Sequence, residues 1–394
     1  MKKNIIVIGA RGYKYNYGGW ETFVTNLVQN FHNDDYQFYI PHLTHVKEDD
    51  KKIQFIDGVE VPSLYVPEQG FVTMFTFTIK AMNYYLKYIE ENHLKNTVIL
   101  LLGCKVGPLF LFWKHKLKKL NTKVIINPDG LEWKREKWSW WIKQCFKISE
   151  HYSVKLTDYC VCDSKSIENY VIEKYKKFKP RTDFIAYGAE ENIITEETKI
   201  VKELFSKYQI NEKEYYLIVG RFIPENNYET MIKEFMKTNI QKDLVIICNL
   251  EKNKFYEQLQ EKTNFESDKR IKFVGSVYDE ASLQYIRKNA YAYLHGHSAG
   301  GTNPSLLEAL SITNLNILYD VSYNKEVGEK SCFYFSKEAD NLKNILEKVD
   351  KLGEKEQNKY GKEAKKRIHE AYTWDIVVQK YKDVFDLLIK EEKR

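Results

Sequence analysis

This chain of 394 residues has few prolines, no long uninterrupted apolar stretch and no second pair of closely spaced cysteines. The last two absences argue against a membrane span and a zinc site. The best candidate for a membrane span, 98–113, is interrupted by Lys105 and Pro108 and is shorter than the roughly 20 apolar residues that a bilayer requires. Cys160 and Cys162 would share one face of a strand, but the sequence offers no second ligand pair to complete a zinc site. We therefore expect neither a membrane-spanning helix nor a metal site, and we interpret the cysteines as buried thiols.

The chain also lacks a large excess of either positive or negative charge. The net charge of +6 is small for a chain of this length, so composition gives no argument for a nucleic-acid partner. The first apolar run, 5–8, is too short for the hydrophobic region of a secretory signal and ends at Gly9. We expect a cytoplasmic protein that does not bind nucleic acid.

The apolar segments that are present are short and alternate with helical periodicity, which is typical of parallel sheets with crossover helices. The sequence predicts ten strands in two series, at 4–8, 37–40, 98–102, 123–126, 159–161, 215–219, 244–247, 271–274, 290–294 and 316–318. A polar segment near 188–212 is the predicted linker between them. We therefore predict an α/β protein with two doubly wound domains, and a helix over 374–390 whose apolar face packs on one of them. Ligands of such sheets bind beyond the carboxyl ends of the strands, so the cleft between the domains is the expected site.

Two strand-to-helix turns carry residues that suit an anion. In the first, Gly18 and Gly19 open a helix, where backbone N–H groups and the helix dipole favour negative charge, and Arg11 and Glu21 flank the turn. In the second, Arg221 follows a strand, and its planar guanidinium can make paired bonds to a phosphate. Neither turn has the glycine fingerprint of dinucleotide-binding folds or the Walker phosphate loop. Simple turn-shaping by the glycines and a surface ion pair of the arginine are the alternative interpretations.

The stretch HGHSAGGTNPSLLEAL, 295–310, places small residues where a helix begins. Asn303 is a favourable N-cap and Pro304 a favourable first helical residue, and glycines ahead of them leave backbone N–H groups open to an anion. Glu308 lies one turn inside the helix, where a carboxylate would bind hydroxyl groups rather than phosphate. An ordinary capped helix with a surface glutamate would explain the Asn-Pro pair, but it would not explain the glycines Gly300 and Gly301 or the pair His295 and His297.

A further candidate, Asp129, follows a strand of the first domain and precedes a segment in which tryptophans alternate with basic residues. The members of that segment are Lys134, Arg135, Lys137, Trp138, Trp140, Trp141 and Lys143. This alternation is typical of segments that lie against anionic lipid headgroups. A core helix with a solvated basic face is the alternative interpretation.

Five segments together resemble the glycosyltransferase family 4 enzymes: RGYKYNYGGWETFV, DGLEWKREKWSWW, CDSKSIENY, VGRFIPENN and HGHSAGGTNPSLLEAL. They are most similar to the bacterial branch that includes β-1,4-rhamnosyltransferases of capsule and rhamnose-polysaccharide synthesis. The resemblance implies a GT-B fold, with two Rossmann-like doubly wound domains facing across a cleft. Residues 1–190 would form an acceptor-binding domain and 205–370 a nucleotide-sugar-binding domain, and 371–394 would form a helix returning to the first domain.

The resemblance also implies roles for individual residues. Arg221 would bind the donor diphosphate and act in catalysis, Glu308 would hold the nucleotide ribose, and Asp129 is the candidate that orients or deprotonates the acceptor hydroxyl. The predicted donor contacts are Gly18, Gly19, Arg221, Asn226, His297, Gly301, Thr302, Asn303, Ser305 and Glu308. The predicted acceptor contacts are Arg11, Glu21, Asp129, Trp133 and Arg135.

Two positions depart from the wider family and fit the rhamnosyltransferase-like branch. Gly300 stands where many members have a glutamate that contacts sugar hydroxyls, and Asn226 stands where they have a lysine. We predict a retaining enzyme that transfers L-rhamnose from dTDP-β-L-rhamnose to a lipid-diphosphate-linked sugar at the inner face of the cell membrane. The sequence has no Asp-x-Asp pair, so we expect no metal or other cofactor. The alternatives are a UDP-GlcNAc or UDP-glucose donor, or a non-catalytic nucleotide-sugar-binding protein.

Overall fold

A computed structural model describes residues 2–14, 18–33, 35–70, 72–128, 130–135, 138–190 and 196–391. The chain divides into two compact units, the first comprising Met1–Gly188 and Trp374–Arg394 and the second Ala189–Thr373. None of the helices in the described ranges combines the length and the apolar character that crossing a membrane requires.

The first unit is built on a nine-stranded sheet. Its strands are β1 (Lys3–Ile8), β2 (Tyr36–Tyr39), β3 (His42–Thr44), β4 (Ile53–Ile56), β5 (Val59–Tyr65), β6 (Thr97–Leu102), β7 (Lys123–Asn127), β8 (Tyr159–Cys162) and β9 (Thr182–Phe184). The order is β3-β5-β2-β1-β6-β7-β8-β9, and every one of these pairs is parallel, whereas β4 pairs antiparallel with β5. The central strands are continuous apolar runs because helices cover both faces of a parallel sheet, and β6, TVILLL, is buried at every position.

Among the described residues, five helices that precede the second unit in the chain accompany this sheet: α1 (Gly19–Gln29), α2 (Val72–Glu91), α3 (Phe110–Lys119), α4 (Trp140–Leu156) and α5 (Lys165–Lys174). The predicted strands of the first series are all present. Strands β3, β4, β5 and β9 were not predicted. Three of them, β3, β4 and β9, are segments of three or four residues without a long apolar run, whereas β5, VEVPSLY, is buried at six of its seven positions but its apolar residues are interrupted by Glu60, Pro62 and Ser63.

The second unit begins with helix α6 (Lys199–Tyr208), which corrects the prediction that 188–212 is a linker. Val201 and Phe205 of this helix are buried in the core of the second unit, while its Lys and Glu side chains face solvent. The segment was interpreted as a linker because its charged residues outnumber the apolar residues that form the buried face.

A six-stranded parallel sheet forms the centre of the second unit, in the order β12-β11-β10-β13-β14-β15. The strands are β10 (Tyr215–Val219), β11 (Asp243–Ile247), β12 (Ile271–Gly275), β13 (Ala292–His295), β14 (Asn316–Tyr319) and β15 (Phe333–Phe335). Its helices are α7 (Tyr228–Met236), α8 (Lys254–Thr263), α9 (Glu280–Asn289), α10 (Pro304–Ile312), α11 (Ser322–Gly328), α12 (Asn341–Val349) and α13 (Glu354–Ala371). All five predicted strands of the second series are present.

Both sheets have a topological switch point, where successive connections leave in opposite directions. In the first unit the switch lies between β1 and β6, and in the second it lies between β10 and β13. Ligands of doubly wound sheets bind outside the carboxyl ends of the strands at such points. A ligand site is therefore expected in the loops that follow these four strands.

The last helix, α14 (Trp374–Glu391), belongs to the first unit. Its buried face contacts α1, with the Tyr381 ring 5.7 Å from the Phe23 ring, and Asp386 forms a 2.6 Å ion pair with Lys3 of β1. An added Cβ at Gly188 would lie 2.4 Å from the Trp374 indole. Only glycine at position 188 therefore allows the chain to pass this close to the start of the helix.

Candidate active site

The switch point of the second unit brings an arginine and a histidine together. Arg221 is exposed just beyond β10, and His297 follows β13. An added Cβ at Gly220 would lie 3.0 Å from the His297 ring and 3.2 Å from Nδ2 of Asn226, so glycine allows this close approach. Nδ2 of Asn226 donates to the Arg221 carbonyl at 2.7 Å. Asn226, which was predicted as a donor contact, therefore holds the turn that carries the arginine.

Two histidine rings stack beside this turn. The rings of His295 and His297 are 4.2 Å apart at an interplanar angle of 13°. Nδ1 of His295 lies 3.2 Å from the Tyr293 hydroxyl, whereas Nε2 of His295 and Nδ1 of His297 are buried without a hydrogen-bond partner among the described residues. Burial, and then the positive charge of Arg221, lowers the pKa of His297 to about 3. At neutral pH this ring is uncharged and can offer a nitrogen to a ligand that also contacts the arginine.

A capped helix begins a few residues beyond the histidines. Asn303 is the N-cap of α10, its Oδ1 accepts the Ser305 N–H at 2.9 Å, and Pro304 is the first helical residue. The Ser305 N–H is used by this cap, so any backbone donor to an anion at this helix start would have to lie ahead of Ser305. The connection from β13 to α10 therefore carries the predicted donor contacts to the same edge of the sheet as Arg221.

Gly300 has open space around it but an unusual backbone. Its φ is +121°, and an added Cβ would meet no atom within 4 Å. A glutamate at this position would have room, but its backbone would have to leave a conformation that side chains other than glycine rarely adopt. The departure from the wider family at Gly300 is therefore consistent with the local backbone.

Glu308 is held by a buried arginine that the sequence analysis did not select. Arg287 of α9 is 2% exposed, and its guanidinium lies 2.6 Å from Glu308 Oε2 and 3.2 Å from Ser305 Oγ. The Ser305 hydroxyl is also 3.0 Å from the Tyr293 hydroxyl. Two predicted donor contacts are thus joined by one guanidinium. The sequence carries no signal for this arginine, because a charged residue within a helix is normally exposed.

In the first unit, the glycines that open α1 have different constraints. Gly18 has a φ of +104°, and an added Cβ would lie 2.5 Å from Oε2 of Glu21, so this position favours glycine. Gly19 is the first residue of the helix, and an added Cβ there would meet no atom within 4 Å. Gly18 is therefore required by its backbone and by Glu21, and Gly19 leaves an open approach to the helix start.

Three charged residues lie at the β1–β6 switch point. Oε1 of Glu21 accepts the backbone N–H of Arg11 at 2.8 Å, and the carboxylate is buried. Burial raises the pKa of Glu21, whereas the hydrogen bond from Arg11 and the charges of Arg11 and Lys105 act in the opposite direction. Lys105 was not among the predicted site residues, although its position after Gly103 at the end of β6 was a usable signal.

Trp133 is fixed by a buried carboxylate. It lies in a 3-10 turn, Glu132–Lys134, that follows β7, and its indole Nε1 donates to Glu150 Oε2 at 3.1 Å. The other oxygen of Glu150 accepts from the Tyr170 hydroxyl at 2.7 Å, from Lys174 Nζ at 2.9 Å and from the Tyr175 hydroxyl. Burial raises the pKa of Tyr175, and Glu150 raises it further. The predicted acceptor contact Trp133 is thereby held in one position.

The surroundings of Trp133 are positively charged. Three lysine amino groups lie 4.8 to 5.5 Å from the centroid of its ring: those of Lys134, Lys147 and Lys174. Arg135, the neighbouring predicted acceptor contact, is paired with Glu132. Asp129, the predicted base, lies outside the described residues.

The tryptophans that follow differ in exposure. Trp140 and Trp141 are 61% and 74% exposed at the start of α4. Trp138 is half-buried, and its ring packs 5.6 Å from that of Phe146. Two of the three tryptophans therefore lie on the surface and one contributes to packing. Lys137 lies outside the described residues.

Cys160 and Cys162 are neighbours on β8, as their spacing predicts. Their sulfur atoms are 3.7 Å apart, and both side chains are buried. Across the part of the chain that the structure describes, no three His, Cys, Asp or Glu side chains are grouped so as to hold a metal ion.

Comparisons with known structures identify the architecture. The sucrose-phosphate synthase of Thermosynechococcus elongatus superposes with a TM-score of 0.78 at 13% identity, over 99% of this chain and 100% of that chain. HepE of Anabaena, in complex with UDP and glucose, superposes with a TM-score of 0.71 at 12% identity, over 98% and 100%. An α,α-trehalose-phosphate synthase of Burkholderia vietnamiensis gives 0.76 at 8%, over 100% and 99%. The fold of this chain is GT-B, which confirms the predicted fold class.

Family models divide the chain in the same region as its two units. Residues 2–190 match the model described as a domain of unknown function, DUF1972, and residues 201–367 match the model described as glycosyl transferases group 1. No curated protein matches the sequence. Residues 201–367 thus form a group 1 glycosyltransferase domain, and the chain is a glycosyltransferase.

Proposed function

We propose that this enzyme is a retaining glycosyltransferase that moves L-rhamnose from dTDP-β-L-rhamnose to a lipid-diphosphate-linked sugar during synthesis of a cell-surface polysaccharide. The observation that supports a nucleotide-sugar donor is that Arg221, His297 and the capped start of α10 lie at one switch point. The family match supports the reaction class. The rhamnosyl donor rests on the sequence resemblance and on Gly300 and Asn226, which take the place of the glutamate and lysine of the wider family.

In the proposed reaction, the bond between C1 of the sugar and the diphosphate oxygen breaks, and the acceptor oxygen forms a bond to C1 on the same face. The negative charge that develops on the diphosphate is stabilised by Arg221, by a neutral His297 and by the positive end of the helix dipole at the start of α10. The acceptor proton passes to an oxygen of the departing diphosphate. These groups provide the stabilisation without a metal, and we propose a metal-independent enzyme.

The donor is tested by a thermal-shift panel of dTDP-rhamnose, dTDP, UDP-glucose, UDP-GlcNAc and GDP-mannose. A ligand that binds only the folded state stabilises it by about 2.7 kcal/mol at a hundredfold excess over Kd. We expect a selective shift with the dTDP compounds, followed by release of dTDP when a lipid-linked acceptor is added. A shift with UDP or GDP compounds alone would exclude the rhamnosyl donor, and binding without turnover on any acceptor would favour a non-catalytic protein.

The proposal includes binding to an anionic membrane at the inner face of the cell membrane, where a lipid-linked acceptor resides. The exposed apolar residues of α3 and α4 are Leu111, Phe112, Trp140, Trp141 and Ile148. The Gly107 N–H donates to Ser149 Oγ at 2.8 Å, which sets the start of α3 beside the middle of α4. The two helices contain seven lysines and one glutamate, so the apolar residues are accompanied by positive charge. Exposed aromatic rings beside lysines favour an anionic lipid surface.

Replacing Trp140 and Trp141 together by serine is expected to reduce partitioning onto anionic vesicles by roughly tenfold or more, because both rings lose their contact with lipid. The measurement is co-sedimentation with phosphatidylglycerol vesicles, with phosphatidylcholine vesicles for comparison. Phe55→Ser is the matched control, since Phe55 is 72% exposed in the same unit but lies on β4. Unchanged sedimentation of the double variant would show that these tryptophans do not bind the membrane.

A further inference from the structure

We propose that the first unit has a second binding site, for a small molecule that carries both a protonated primary amine and an anionic group. The site is a cavity of about 470 Å³ whose lining includes residues that precede β1 and β6, so it lies at the amino ends of the strands. The β1–β6 switch point lies at the opposite, carboxyl edge of the same sheet. The cavity is therefore separate from the candidate active site, and the proposal does not depend on glycosyl transfer.

Three neighbouring strands place a carboxylate and two aromatic rings in the lining of this cavity. Glu60 on β5 is aligned with Tyr39 of β2 on one side and with Phe55 of β4 on the other. Because aligned side chains point to the same face of a sheet, all three lie on the face where Tyr88 of α2 contacts Glu60. Phe55 is 72% exposed, so its ring is open to the apolar part of a ligand.

Glu60 is buried without a counter-ion among the described residues. Its side chain is 7% exposed, its Oε2 accepts the Tyr88 hydroxyl at 2.8 Å, and its Oε1 has no hydrogen-bond partner within the described ranges. Burial raises the pKa of this carboxyl, and the hydrogen bond from Tyr88 acts in the opposite direction. A buried carboxylate is normally paired with a cation, because leaving its charge uncompensated is costly. A ligand ammonium would supply the missing donor and the missing charge together.

The polar groups beside Glu60 are engaged elsewhere. The Tyr39 hydroxyl donates to Asn4 Oδ1 at 3.2 Å, and the Asn4 amide donates to the Lys95 carbonyl at 2.7 Å. Neither group hydrogen-bonds to Glu60, although both line the same cavity. The carboxylate therefore still needs a donor, and the cavity gives a ligand access to it.

The rim of the cavity has the opposite charge. Lys2 and Lys95 are exposed there beside His93, and Nζ of Lys2 has only a 3.4 Å contact with Oε1 of Gln37. These ammonium groups would repel a ligand that is only a cation, whereas they would attract a carboxylate or phosphate on the same molecule. The arrangement of a negative wall and a positive rim therefore favours a ligand with both charges over a simple amine.

The test is a ligand-detected NMR titration of the full-length protein with glycine, 4-aminobutyrate and 6-aminohexanoate, and with butylamine and butyrate as single-charge probes. We expect at least one of the three amino acids to bind more tightly than either single-charge probe, since it can contact Glu60 and the lysines together. Glu60→Gln keeps the shape and the acceptor for Tyr88 but removes the charge. We expect this variant to weaken amino-acid binding by on the order of tenfold or more, the effect of losing a hydrogen bond to a charged group.

Two further variants complete the test. Lys2→Ala combined with Lys95→Ala should weaken binding of the amino acid but not of butylamine, and these surface changes do not depend on whether Glu60→Gln folds. Glu91→Gln is the matched control, because Glu91 is 60% exposed at the end of α2 and pairs with Lys87 at 3.4 Å, so its loss should leave the affinity unchanged.

Three results would overturn the proposal. Failure of all three amino acids to bind at roughly 10 mM would mean that the cavity holds only solvent. Affinity that Glu60→Gln leaves unchanged would remove the carboxylate from the site. Butyrate that binds as tightly as the amino acids would show that the rim lysines alone account for binding. Each of these results leaves the proposed glycosyl transfer untouched, because the nucleotide-sugar site lies in the second unit.

Discussion

Replacing Arg221 by alanine is expected to lower the rate of glycosyl transfer by roughly 100-fold or more, which is the effect of removing one preorganised donor from developing negative charge. The arginine is exposed at the end of β10, beside the neutral His297, at the point where the diphosphate is proposed to bind. Its charge does not stabilise a core, so the thermal stability of the variant should stay close to that of wild type. The measurement is the initial rate with the donor that the thermal-shift panel identifies.

Lys252→Ala is the matched control for that experiment. Lys252 is also exposed, but it follows β11 and not β10 or β13, the two strands that flank the switch point. We expect an unchanged rate for this variant and an intermediate rate for Arg221→Lys, because lysine keeps the charge but not the paired geometry. An Arg221→Ala enzyme with nearly full activity would remove the arginine from the catalytic site.

Replacing Glu150 by alanine is expected to destabilise the first unit by roughly 3 kcal/mol, because buried donors that now share one carboxylate would lose it. The Tyr175 hydroxyl is buried and cannot reach water, whereas Lys174 is about one-third exposed and can. The same change releases Trp133, so acceptor binding should weaken as well. Urea unfolding followed by tryptophan fluorescence measures the effect cleanly, because all seven tryptophans belong to the first unit.

The control for this prediction is Glu173→Ala. Glu173 lies one residue from Lys174 on α5, is 81% exposed and pairs with Lys176 at 3.4 Å. A surface pair of this kind contributes little, so we expect a change of less than about 0.5 kcal/mol. Equal effects of the two substitutions would mean that the hydrogen bonds to Glu150 do not hold this region together.

The sequence was sufficient for the parts of the fold that depend on apolar runs. The central strands were predicted because a parallel sheet buries both faces, and Arg221 could be placed at a strand end for the same reason. Strands β3 to β5 were missed because β3 and β4 are only three and four residues long, and polar residues and a proline interrupt the apolar residues of β5. Periodicity reports burial of apolar residues, so elements without a long apolar run give little signal.

Buried charge is the part of the site that the sequence could not reveal. Arg287 and Glu150 are both at least 95% buried, yet in the sequence they look like the exposed charged residues around them. The exposure of tryptophans was equally hard to predict, because identical residues in one short segment differ in it: Trp138 is half-buried, whereas Trp140 and Trp141 are exposed. Which member of such a set is buried depends on tertiary neighbours such as Phe146, and no local pattern encodes them.

The chain leaves the first unit after Gly188 and returns to it at Trp374, so the two parts of this unit are synthesised at different times. The second unit is an insertion into the first, with its two ends joined by the 2.7 Å hydrogen bond from the Ala189 N–H to the Tyr372 carbonyl. During translation, α14 emerges only after the whole second unit has left the ribosome, so the second unit can fold while the first still exposes the apolar surface that Phe23 shares with Tyr381. A chain that stalls before Trp374 would therefore carry a complete second unit and a first unit that lacks α14, and the apolar surface around Phe23 that α14 covers would stay exposed, which favours aggregation.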